Sequence, residues 1–165
     1  MYQINDMIVY KNSGVCRIED IGIPYFVETQ EQYYKIIPIC DLNGKLYVKI
    51  CQDKMMFRSI TTLEEAELFL SELPSMNGLY NANDKTREKE YRDILKACEC
   101  KQCLSMLKGI LRERKKKLET GKTLNMTDER NLQRVEKLLN DEFSIVFNIT
   151  TEQAKIRINN AMFSK

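Results

Sequence analysis

The sequence predicts an α+β protein, a small N-terminal β-barrel followed by a C-terminal all-α helical bundle. Three observations predict it. The first sixty residues hold short β-branched and aromatic runs punctuated by turn residues; the rest holds apolar residues at helical spacing; and the charge changes sign between the two. Residues 1–80 carry 7 Lys+Arg against 11 Asp+Glu, and residues 81–165 carry 19 against 13.

The strand elements come first. Ile8-Val9-Tyr10 meets the turn-rich Lys11-Asn12-Ser13-Gly14 and resumes as Val15-Cys16-Arg17-Ile18-Glu19-Asp20-Ile21, which predicts a hairpin. Tyr33-Tyr34-Lys35-Ile36-Ile37 and Lys45-Leu46-Tyr47-Val48-Lys49-Ile50 flank Asp41-Leu42-Asn43-Gly44, whose Asn-Gly is expected to supply the positive φ angles of a tight reversal. Four or five such strands in under sixty residues suit a small, strongly curved sheet or barrel.

Helices follow. Thr62-Leu63-Glu64-Glu65 reads as a capping box opening a helix that runs to Pro74, and the breaker-rich stretch 74–83 reads as a linker. Three segments are therefore expected: residues 1–60, a connecting helix and linker over 61–83, and a helical domain over 84–165. In the last, Tyr91, Ile94 and Leu95 mark one helix, and Leu104, Leu107, Leu111 and Leu118 mark another that ends near Gly121. Thr127-Asp128-Glu129 is expected to cap a third helix with Leu132, Val135, Leu138, Leu139 and Phe143 buried, and Thr150 with Gln153 to open a fourth.

With no His and no Trp, a Ser-His-Asp triad, a Cys-His pair and a His-rich metal site are all excluded. GxGxxG and GxxxxGK[ST] are absent, and the carboxylates of residues 64–67 suit an exposed helix N-terminus. Hence no enzyme, catalytic residue, cofactor or small-molecule ligand is expected. Cys98, Cys100 and Cys103 have three-ligand spacing, but zinc prefers four ligands and the remaining cysteines fall in predicted strands, so thiols and no metal are expected. The absence of a long apolar run and of a signal-like start predicts a cytoplasmic protein with no membrane partner and reduced cysteines.

The basic second part points to phosphate. On a helical wheel Lys108, Arg112, Lys115 and Lys116 form a stripe about a quarter-turn from the leucines, and residues 108–122 hold 7 basic residues against 2 acidic. That excess favours contact with a nucleic-acid backbone, the plain alternative being a solvated face. Arg87, Lys89 and Arg92 add to it beside Tyr91, which is either a core or interface aromatic or a stacking platform for bases.

Residues 5–21, from Asn5-Asp6-Met7-Ile8-Val9-Tyr10 through Gly14 to Ile18-Glu19-Asp20-Ile21, resemble the opening of the CarD/CdnL transcription regulators and the polymerase-interacting module of transcription-repair coupling factors. Glu31-Gln32-Tyr33-Tyr34-Lys35-Ile36 and Leu46-Tyr47-Val48-Lys49-Ile50 resemble the middle strands, and the order of helices fits as well. The resemblance implies a Tudor-like, SH3-like barrel docking by strand addition on the β subunit of bacterial RNA polymerase, with Tyr47, Lys49 and Ile50 at the interface. It implies a helical domain that contacts promoter DNA and stabilises the open complex, by Arg87, Lys89, Tyr91, Arg92, Lys108, Arg112, Lys115 and Lys116. The alternative is a polymerase-docked adaptor whose helices bind protein instead of DNA. Family members commonly carry a Trp wedge at the start of the first helix of the second domain; here Arg87 stands at about that place.

Overall fold

The computed structural model describes residues 1–11 and 13–164 and divides into two compact units, one of residues 1–60 and one starting at Thr61. The first contains β1 (Met7–Tyr10), β2 (Gly14–Gly22), β3 (Tyr33–Pro38), β4 (Leu46–Lys49), a 3-10 turn (Ile50–Gln52), α1 (Asp53–Met56) and β5 (Phe57–Ser59). All pairings are antiparallel and the order is β4-β3-β2-β1-β5, which leaves β4 and β5 at the borders.

Alternation decides which face is buried. Ile8, Cys16, Ile18, Tyr34, Ile36, Val48 and Phe57 form the core of this unit, while Arg17, Lys35, Tyr47 and Lys49 point the other way. A shift in register between Ile18 and Asp20 bends β2. The curvature can be measured through the rings. Phe57 of β5 and Tyr34 of β3 lie 5.5 Å apart between centroids, although three strand spacings in a flat sheet would separate them by about 14 Å. The sheet is therefore rolled into a half-barrel, and Tyr2 plugs it with edge contacts to both rings.

The two reversals differ from expectation. In the first, Gly14 takes φ +75° and Ser13 donates its N–H to the Tyr10 carbonyl at 3.0 Å, while Asn12 of the expected turn lies outside the described residues. The second is a correction. Neither Asn43 nor Gly44 has positive φ, because seven residues, not two, join β3 to β4. Asp41 organises this loop instead, its carboxylate accepting from Asn43 N–H (3.2 Å) and its carbonyl from Gly44 N–H (2.9 Å).

The second unit contains α2 (Leu63–Glu72), α3 (Asp84–Ala97), α4 (Cys100–Glu119), α5 (Met126–Phe147) and α6 (Thr151–Phe163). Capping boxes open α2 (Thr62 with Glu65) and α6 (Thr150 with Gln153). For α5 the cap lies two residues earlier than expected: Asn125, not Thr127, accepts from Asp128 N–H at 2.7 Å. Segment 61–83 is not a mere connection. Ala66, Leu70 and Leu73 share one core with Tyr91, Leu95, Leu104, Leu107, Ile110, Leu132, Val135, Leu139, Phe143 and Ile158. Thr61 is tied to α5 as well, its N–H and hydroxyl donating to the buried Glu142 carboxylate at 2.9 and 2.6 Å.

Candidate interaction surfaces

In the strand unit the candidate surface is the outer border of β4. Tyr33 faces Lys49 and Lys35 faces Tyr47 across the β3–β4 ladder, and Ile50 N–H continues the ladder by donating to the Gln32 carbonyl at 3.0 Å. Hydrogen-bonded and non-bonded pairs alternate in an antiparallel ladder, so Val48 and Ile50 point their backbone groups toward β3, whereas Tyr47 and Lys49 point theirs away from the sheet. The Lys49 carbonyl caps the 3-10 turn that follows, so the backbone groups left open at this border are the Tyr47 N–H and C=O and the Lys49 N–H.

Side chains frame this border. Tyr47 packs edge-on against Phe26 at 5.0 Å, and Phe26 against Tyr25, which is 96% exposed. Tyr25 and Tyr47, together with Tyr33, Lys35 and Lys45, line a groove of about 340 Å³. Lys49 holds Glu31 at 2.6 Å and lies 6.0 Å over the Tyr33 ring; the shared hydrogen bond pushes the ammonium pKa up and the carboxyl pKa down. Ile50 is half-buried and packs its side chain on the strand core, so of the three expected interface residues only Tyr47 and Lys49 present outward backbone.

The helical unit separates the expected nucleic-acid residues into two groups. Lys89, Arg92, Arg112, Lys115 and Lys116 are exposed; of these only Arg92 has an acidic neighbour among the described residues, Glu88 at 3.6 Å. Arg87, Tyr91 and Lys108 are interior, which corrects the expected DNA contacts of Arg87 and Lys108 and leaves Tyr91 the core aromatic of its two readings, not the stacking platform.

Arg87 is 3% exposed. Its Nε and Nη2 grip the buried Asp128 carboxylate at 2.9 and 2.8 Å, Nη1 donates to the Asn81 carbonyl at 2.7 Å, and the Tyr80 ring stacks at 4.5 Å. Burial opposes its charge, but the Asp128 and Asp84 carboxylates outweigh that and raise its pKa. Every guanidinium nitrogen is thus committed to joining the start of α3 to the start of α5. Tyr91 is fully buried and its hydroxyl meets the Leu79 carbonyl at 3.4 Å, so it offers no face to a base.

Lys108 is 1% exposed and its ammonium donates to the Leu73 and Pro74 carbonyls at 2.5 and 2.8 Å. Burial, assisted by nearby Arg112, lowers its pKa. The segment after α2 covers this face of α4: Leu79 N–H donates to the Ser105 carbonyl and the Ser105 hydroxyl to the Asn77 carbonyl. The backbones approach so closely that a Cβ on Gly109 would sit 1.9 Å from the Leu79 oxygen.

Sequence reasoning missed Arg130 and Arg134, which are exposed on α5. They follow each other at i, i+4, a spacing legible in the sequence beside the apolar stripe of α5. Cys98, Cys100 and Cys103 are buried around the α3–α4 junction, and no ligand group able to hold a metal ion occurs among the described residues. Among them, too, no helix is long and apolar enough to cross a membrane.

These features define a class, a curved-sheet interaction module followed by a helical unit. Residues 2–60, the strand unit, match the family model for the CarD-like/TRCF RID domain. The match ends where the strand unit ends. No curated protein sequence matches the chain.

Proposed function

We propose that the protein is a non-enzymatic transcription regulator. Its strand unit, a Tudor/SH3-like barrel, docks on the β subunit of bacterial RNA polymerase, and its helical unit steadies the promoter open complex in the cytoplasm. The observation that carries the reading is the β4 border. Tyr47 offers a partner strand an outward backbone donor and acceptor and Lys49 a further outward donor, flanked by an aromatic groove and a cation, an arrangement suited to strand addition. On the helical side Lys89, Arg92, Arg112, Lys115 and Lys116 supply phosphate contacts, which position a duplex without reading its sequence.

Replacing Tyr47 by Ala together with Lys49→Glu removes the side chains that flank the border while leaving the buried Tyr34 and Val48 in place. Co-purification with polymerase is expected to fall at least tenfold with the helical unit still folded, an interface hot spot being worth about 2 kcal/mol or more. Unchanged co-purification rejects β4 docking. A second reading, the adaptor without DNA contact, is favoured by the interior positions of Arg87, Tyr91 and Lys108. Arg112→Glu, Lys115→Glu and Lys116→Glu combined separate the two, since open-complex lifetime collapses if these residues touch DNA and stays constant if they do not.

A further inference from the structure

A small cleft between α3 and α5 is lined by Glu88 and Arg92 from α3 and by Thr127, Arg130, Asn131 and Arg134 from α5, and encloses about 90 Å³. Three guanidinium groups thus line one depression with one carboxylate, Glu88, which holds Arg92 loosely at 3.6 Å. Arg130 and Arg134 have no acidic partner among the described residues. Like charges at i, i+4 oppose helix formation. An anion in the cleft removes that penalty. A second feature points the same way: Asn131, whose residue surface is only 8% exposed, lines the cleft with an amide that has no protein partner among the described residues and is open to a solute there.

We propose that Arg92, Arg130, Arg134 and the Asn131 amide bind one phosphate group. Guanidinium forks match phosphate oxygens bidentately, and the amide supplies a further N–H. The space accommodates about three waters at ~30 Å³ each, enough for one oxyanion and too little for a nucleoside. No aromatic or aliphatic side chain lines the cleft to stack a base. Both features favour the backbone of duplex DNA over a free nucleotide as the source. The inference therefore rests on the DNA-contact reading given above and adds a site on α5 to it.

The test is anisotropy of the full chain with a labelled duplex of arbitrary sequence over a range of salt. Arg130→Gln with Arg134→Gln is expected to weaken binding roughly tenfold at low salt and to make the log-log salt dependence shallower by about 0.9, the share of one phosphate. Arg130→Lys with Arg134→Lys keeps the charge and restores the slope without the full affinity. Both substitutions fall on exposed side chains, and an unchanged melting temperature verifies the fold. If the Gln variant binds as the wild type does while Arg112→Glu with Lys115→Glu weakens binding, the cleft is overturned and the DNA reading stands. If the wild-type chain binds no duplex even at low salt, the DNA reading fails, and titration with inorganic tripolyphosphate decides the site. Shifts of the Arg130 and Arg134 Nε–H resonances uphold it with a free polyanion as the source; fixed resonances overturn it.

Discussion

The strand unit and the helical unit display their polar residues by different rules. In the strand unit parity separates the β3 and β4 side chains of residues 34–36 and 47–49: Tyr34, Ile36 and Val48 go inward, while Lys35, Tyr47 and Lys49 go outward, and the residues buried on the second face are the apolar Val9, Val15 and Ile37. In the helical unit, position on the wheel does not settle it, because a helix can be covered from several sides. Cys103, Leu104, Met106, Leu107, Lys108, Gly109 and Ile110 are all buried, leaving only Ser105 partly open between residues 103 and 110. A charge on a strand reports the surface; a charge on a helix does so only where no second neighbour arrives. Beyond Ile110 the covering stops, and Arg112, Arg114, Lys115 and Lys116 emerge.

The sharpest way to break this contrast is Arg87→Ala. It removes the guanidinium contacts to Asp128, Asp84 and the Asn81 carbonyl and leaves Asp128, itself 2% exposed, as an uncompensated buried carboxylate. Breaking a buried pair in this manner costs about 3–5 kcal/mol, so thermal unfolding of the helical unit is expected at least about 10 °C lower. Lys49→Ala, at a pair whose members are 36% and 46% exposed, is expected to leave the melting temperature unchanged. Equal effects from the two substitutions would erase the difference between the units.

Much of this organisation was legible beforehand. The chain reads as strands and then helices, with the Thr62 and Thr150 capping boxes where they form. The CarD-like resemblance of the first sixty residues rests on strand residues whose alternation is local. The unread portion depends on contacts between residues far apart in sequence. Arg87 was placed outside because its partner Asp128 lies 41 residues away, and Lys108 because the carbonyls it serves belong to residues 73 and 74. The tight hairpin expected at Asn43-Gly44 failed for a nearer reason, a connection longer than two residues in which the Asp41 side chain replaces left-handed backbone.

Gly109→Ala tests the covering segment directly. Ala is about 1 kcal/mol better than Gly inside a helix, so an open helical face predicts a gain. With the Leu79 oxygen 1.9 Å from the new Cβ, and with Gly78 abutting the Gly109 backbone in return, a loss of about 1–3 kcal/mol or more is expected. The sign alone, read from chemical denaturation, distinguishes a covered helix from a free one.

The mildest probe perturbs no contact and compares the units by thiol reactivity. Cys40 and Cys51 are exposed in the strand unit, whereas Cys16 in the same unit and Cys98, Cys100 and Cys103 in the helical unit are buried. Burial, reinforced by Cys40 nearby, pushes the Cys16 thiol up to about 12. Raising a thiol pKa leaves less thiolate at any given pH, so near pH 8 Cys16 is slowed by chemistry as well as by access. Alkylation followed by mass spectrometry is expected to show two fast modifications, at Cys40 and Cys51, and four slow ones. Raising the pH toward 9 leaves Cys16 nearly inert. A third fast site at Cys98, Cys100 or Cys103 would mean that the α3–α4 junction opens readily, and the continuous covering of α4 would then no longer account for the loss of Lys108 from the surface.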